Sequence, residues 1–256
     1  MNRIRTSIAL VLGAFSISST HAALLGRLPL TPGGVDYQAY YDTVLDVTWL
    51  ANANLAAITA FDVVGINPNG TMTWYTAQEW VAALSAASYL GAGDWRLPVV
   101  GPANGSGFNY SVSYNGSTDR FYNVSEQGTL YAGSTGSEMA HMFYNTLNNK
   151  GYCDPILSTA LSCSVQPGWG LSSTAPFSNL QGRGSYWSGT TYAPVPSDAW
   201  DFDFVHGGQD GAGKGELAYV WAVRDGDIAP VPIPAAAWLF AGGLGVLGLV
   251  RRRQVP

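Results

Sequence analysis

Residues 199–205 read Ala199-Trp200-Asp201-Phe202-Asp203-Phe204-Val205. Aromatic and acidic side chains alternate with a period of two, the period at which successive side chains of a strand face opposite ways. The stretch reads as a half-buried β-strand, with Trp200, Phe202 and Phe204 inward and Asp201 and Asp203 outward. Downstream, Ala218–Arg224 places Tyr219, Trp221 and Val223 on one face in the same way. Upstream, Ser185–Ser188 and Leu45–Leu50 are further strand candidates. Helical spacing occurs earlier. Ala77, Trp80, Val81, Leu84 and Ala87 follow Thr76-Ala77-Gln78-Glu79, a capping-box pattern, and Gly91 ends the run. A second helix is expected from Ser137, with Met139, Met142, Phe143 and Leu147 on one face. Residues 101–136, rich in Gly, Ser, Asn and Tyr, read as long loops or short hairpins. Two helices followed by a loop-rich antiparallel region predict an α+β domain.

Composition bounds the rest. Of 256 residues, 47% are apolar and only 11% charged, and nine Trp with fourteen Tyr demand burial. The net charge of −5 disfavours nucleic-acid binding through a basic surface. The two ends stand apart. Arg3 and Arg5 precede an apolar run, Ile8–Phe15, and Thr20-His21-Ala22 offers a signal peptidase a cleavage site after Ala22. At the other end, sixteen uncharged residues, Ala235–Val250, precede Arg251, Arg252 and Arg253. As a helix they reach roughly 24 Å, marginal for a hydrocarbon core of about 30 Å that flanking residues would help to cross. Three arginines on one side would keep that end cytoplasmic and everything before it outside. The expected organisation is a signal peptide at 1–22, an exported domain at 23–230 and a transmembrane sorting segment at 231–256. Residues 23–230 hold seven basic and seventeen acidic residues, a net −10 that would suit cations, neutral sugars or a basic partner.

Within that domain, chemistry is sparse. Cys153 and Cys163 are the only cysteines, and in an oxidising compartment they predict a disulfide. Closing this short loop stabilises by roughly 2.5–3 kcal/mol on the chain-entropy model. There is no Gly-x-Ser-x-Gly, His-Glu-x-x-His or Walker loop. His141 reads as a packing residue and His206 as a turn residue, so a non-catalytic protein is expected. No cofactor is expected, calcium being the one candidate. Asp198, Asp201, Asp203 and Asp210 cluster near Gln209, but without an EF-hand pattern, and a solvated acidic face is the simpler reading. Trp95-Arg96 is expected to anchor the core, with the arginine paired to a carboxylate or carbonyl. Trp187 and Tyr192 are candidates for a sugar-stacking platform.

Two resemblances sharpen these expectations. Val231, Pro232, Pro234, Ala235, Ala236, Trp238, Leu239, Phe240 and the Arg251–Arg253 cluster resemble a PEP-CTERM sorting signal. That resemblance implies recognition by an exosortase in a Gram-negative bacterium that makes exopolysaccharide. Asp46-Val47-Thr48-Trp49-Leu50, Asp94-Trp95-Arg96-Leu97-Pro98, Tyr186-Trp187-Ser188-Gly189-Thr190 and Val220-Trp221-Ala222-Val223-Arg224 resemble the Lcl C-terminal domain family of bacterial surface proteins. It implies a C-type lectin-like fold with two helices and short antiparallel strands. The combined expectation is an exported protein, anchored in the inner membrane before sorting to the envelope or extracellular matrix. Its role would be binding or structure linked to exopolysaccharide, or carbohydrate recognition as a lectin-like adhesin.

Overall fold

The alternation at 199–205 is realised as a strand whose apolar side chains are sealed. In the computed structural model, which describes residues 24–228, that strand is β7 (Asp198–Asp203). Trp200, Phe202 and Phe204 are at most 1% exposed. β7 lies between β6 (Ser185–Thr191) and β8 (Gly208–Gly213), antiparallel to both. β8 continues to β5 (Arg120–Tyr122), and β5 pairs in parallel with β4 (Val112–Ser113), giving the order β4-β5-β8-β7-β6. A second sheet joins the chain ends. β1 (Leu24–Pro29), β2 (Tyr37–Asp42) and β3 (Val47–Leu50) form an antiparallel meander, and β9 (Val223–Asp225) returns to pair with β3.

The main core lies between the sheets and α1 (Trp74–Ala86). Trp221 sits at the junction. Its ring is 4.5 Å from Trp49 of β3, 4.8 Å from Phe177 and 6.1 Å from Phe204, and its indole N–H donates to the Leu50 carbonyl at 2.8 Å. Leaving that buried N–H without an acceptor would cost about 1–3 kcal/mol. Trp80 of α1 is fully buried and donates to the Thr59 carbonyl in the same way. A smaller cluster, Val100, Tyr192 and Trp200, is closed by Phe108 and Tyr110.

The elements differ from expectation in instructive ways. α1 begins earlier than the capping pattern suggests, because Thr73 is the N-cap and its hydroxyl accepts from the Thr76 amide. The second helix keeps its Ser137 cap, but α2 (Glu138–His141) is one α-turn that widens into a π-turn at Met142–Thr146. Only the end of the 218–224 stretch joins a sheet; Ala218 and Tyr219 make isolated bridges to Met72 and Tyr186. β8, Gly208-Gln209-Asp210-Gly211-Ala212-Gly213, carries no strand signature, yet it is central to its sheet. Its glycines make room: a Cβ on Gly211 would lie 2.8 Å from the Tyr192 ring.

The fold is thus mixed α+β with two helices and two sheets. The expected uniform antiparallel, C-type lectin-like arrangement is corrected by the parallel β4–β5 pair and the single-turn second helix. Ala22 and the sorting residues Val231, Pro232, Pro234, Trp238, Arg251, Arg252 and Arg253 lie outside the described residues. Among the described residues no helix is long and apolar enough to cross a membrane.

Candidate functional site

Directly paired residues of adjacent strands share a sheet face. Asp201 pairs with Asp210, Asp203 with Gly208 and with Ser185, and Tyr122 with Gly208. The register therefore gathers Asp201, Asp203, Asp210, Ser185 and Tyr122 on the face opposite Trp200, Phe202 and Phe204. There they line a cleft of about 150 Å³, open on one side, with Phe121 at its wall.

The three carboxylates differ in their partners. Asp210 pairs with the Arg120 guanidinium, which lies 5.6 Å from the Tyr192 ring centre. Asp203 accepts from the Val205 amide at 2.6 Å and bonds His206 Nδ1 at 2.6 Å. Asp201 has no ion pair among the described residues. Burial pushes its carboxyl up to about 7, against the Ser185 hydroxyl that favours the charged form, and Asp210, Asp203 and Glu216 add to the rise. Asp201 thus lies at the edge of ionisation at neutral pH, with the nearby Arg120 guanidinium engaged by Asp210.

Phe121 and Tyr122 line the cleft, and from Tyr122 a chain of rings runs past His206, the partner of Asp203. Tyr122 is 5.9 Å from Tyr152, Tyr152 is 5.7 Å from His206, and the partly exposed Trp169 stacks on His206 at 5.1 Å. Carboxylates edged by ring faces suit an organic cation, through ion pairing and cation–π contact.

The residues singled out in sequence distribute as follows. Asp201 and Asp203 come together, but not as a solvated face, since Asp201 is sunk far enough to shift its titration. Asp198 sits three pairings from Asp201 on β7, opposite Gly213, and Gln209 lies on the Phe202 face with its amide bonded to the Asp119 carbonyl. The set considered for calcium is therefore split, and among the described residues no group of three His, Cys, Asp or Glu could hold a metal ion. Trp187 and Tyr192 do not form a sugar platform. Trp187 is fully buried with its N–H on the Met72 carbonyl, and Tyr192 packs edge-on against Trp200 at 4.9 Å. Cys153 and Cys163 are joined in a disulfide, with Cα atoms 5.2 Å apart.

The Trp-Arg-Leu-Pro segment is a structural hub. Trp95 is buried and donates to the Tyr89 carbonyl. Arg96 holds Glu138 through both guanidinium nitrogens, at 2.8 and 2.9 Å, and also pairs with Asp225. Burial works against the charged guanidinium, and the two carboxylates outweigh it and raise its pKa. No periodicity marks Tyr122, Tyr152 and Trp169 in the sequence, because Tyr122 ends a three-residue strand and the other two lie outside strands and helices. The chain carries five Asn-x-Ser/Thr patterns, at Asn69, Asn104, Asn109, Asn115 and Asn123, and four have a local reason: the Asn69, Asn104, Asn109 and Asn115 side chains accept from the residues two positions on, as in Asx-turns.

No family model matches the chain, no curated protein matches it, and no solved structure matches it. This overturns the resemblance to the PEP-CTERM and Lcl C-terminal families. The functions that rested on it fall with it: exosortase sorting, an exopolysaccharide-linked or lectin-like role, a signal peptidase partnership, and inner-membrane anchoring ahead of the envelope. Among the described residues no helix is long and apolar enough to cross a membrane, and the sixteen-residue run lies outside them.

Proposed function

We propose that the domain is a non-catalytic binding module that takes a small organic cation in the acidic cleft. The cation is an ammonium or guanidinium group, presented free or on a basic partner chain. The observation that carries this reading is Asp201. It is a carboxyl group sunk in the cleft beside two others, with its titration raised by burial and by like charge. The charge of a cation entering the cleft would oppose both effects, so binding and ionisation of Asp201 are coupled. The chain of rings supports an organic cation over a metal ion, and the net −10 of residues 23–230 would draw such a partner in.

The test is titration of the full chain with methylguanidinium and with an oligo-arginine peptide, followed by carboxyl NMR of Asp201. Bound cation should lower the Asp201 titration midpoint by about one unit or more. The Asp201→Asn, Asp203→Asn double variant should lose binding, and added salt should weaken it in the wild type. Equal binding by wild type and variant, or an Asp201 midpoint indifferent to the cation, would refute the assignment.

A further inference from the structure

Next to the cleft residues Tyr122 and Asp203, a second carboxyl group is buried where the loop 123–134 meets the segment 150–166. Glu126 is 7% exposed. Its Oε1 accepts from Gln166 Nε2 at 3.2 Å, and the same nitrogen reaches the Gly151 and Cys153 carbonyls at 2.8 and 3.1 Å. Its Oε2 is buried with no hydrogen-bond partner, and so is Asn123 Oδ1. Both oxygens converge on one spot. The position a Cβ would take on Gly151 is 2.6 Å from Asn123 Oδ1, 2.6 Å from the Tyr144 hydroxyl oxygen and 3.1 Å from Glu126 Oε2. The Tyr144 hydroxyl cannot supply the missing donor, because it already donates to the Gly207 carbonyl while accepting from the Asn123 amide. Three oxygens thus crowd one buried point, and two of them, Glu126 Oε2 and Asn123 Oδ1, have no donor in hydrogen-bond geometry. Such an arrangement is costly unless a proton or a cation is shared there. Three oxygens fall short of the six to eight that calcium takes, which favours the proton.

We propose that Glu126 is a neutral carboxylic acid in the resting fold, donating its proton into this oxygen cluster, and that its loss of the proton releases the disulfide-closed segment 150–166 from the loop 123–134. The groups around it set the range. Burial dominates and pushes the carboxyl up to about 7; Asp154 adds to the rise, while Gln166, the Gly151 backbone and Lys150 favour the charged form. Tyr144, beside it, stays neutral because burial raises its own pKa well above the usual tyrosine value, and Tyr122 and Asp203 face it from the sheet. The Cys153–Cys163 loop carries Ile156 and Leu161, both exposed, and a Cβ on Gly128 of the opposing loop would lie 3.5 Å from Ile156. The latch therefore governs how firmly an apolar, disulfide-stiffened loop is presented.

Hydrogen exchange on the full chain tests this. Protection of amides in 150–166, corrected for intrinsic rates, should fall by about tenfold between about pH 6 and pH 8 in the wild type. Glu126→Gln, whose amide mimics the protonated acid by donating to Asn123 Oδ1, should hold protection nearly constant over that range. Should the variant fail to fold, the carboxyl signal of Glu126 in the wild type decides, with a midpoint near 7 expected and one near the ordinary glutamate value overturning the proposal. An equal pH response in the glutamine variant also overturns it. So does restoration of protection at pH 8 by calcium and its loss on chelation, which would make the cluster a cation site.

Discussion

Asp201→Asn should stabilise the fold above neutral pH, although it removes a charge from a polar cleft. The folded carboxyl titrates near 7 against 3.8 for the free group, so between these values the folded chain binds a proton that the unfolded chain has released. Stability contributed at this position is therefore greatest below pH 3.8, declines as pH rises through the window, and reaches its minimum above about 7. At about 1.4 kcal/mol per unit, the full cost would be about 4 kcal/mol, and screening by water in the open cleft reduces it to about 2–3 kcal/mol. Asparagine keeps the shape, still accepts from Ser185 and carries no charge. The variant should gain about 2–3 kcal/mol near pH 8, or about 4–12 °C in melting temperature for a domain of this size, and almost nothing near pH 4. Urea unfolding at the two pH values measures the difference. Glu126 contributes with the same sign to wild type and variant and cancels. A loss of stability at pH 8, or an equal effect at both pH values, would show that Asp201 is an ordinary surface carboxylate.

Trp221→Ala should cost about 3–5 kcal/mol, because it opens a cavity between the sheets and strips the Leu50 carbonyl of its donor; Trp221→Phe should recover part of this in chemical denaturation. Glu138→Gln breaks a half-buried pair and leaves Arg96 leaning on exposed Asp225, for an expected loss of about 2–4 kcal/mol by the same assay. The Cys153→Ser, Cys163→Ser double variant should lose about 3 kcal/mol yet remain folded by circular dichroism, since the main core lies elsewhere. Collapse of the fold in that variant would make the loop a keystone rather than an appendage.

Local sequence determined those parts whose physics is local. Period-two alternation at 199–205 fixed β7 and its two faces, because apolar side chains of a strand must all be buried on one side. Spacing at Ala77, Trp80, Val81 and Leu84 fixed α1, and Ser137 fixed the start of α2 through its cap. Composition alone demanded an aromatic core. Tertiary structure decided the rest. β8 is a strand because its neighbours complete its hydrogen bonds and Tyr192 fills the space over Gly211, a reason its own side chains do not carry. Trp187 and Tyr192 share with any sugar-binding aromatic the same ring chemistry, and only packing made them core. Asp201 and Asp203 were legible as one face of a strand, but Asp210, Ser185 and Tyr122 reach that face through register between distant segments. A carboxyl group's titration follows its depth and its neighbours, and neither is written in the residues beside it. The same holds for Glu126, whose oxygens meet Asn123 and Gly151 only because the loop 123–134 and the disulfide-closed segment close on one another.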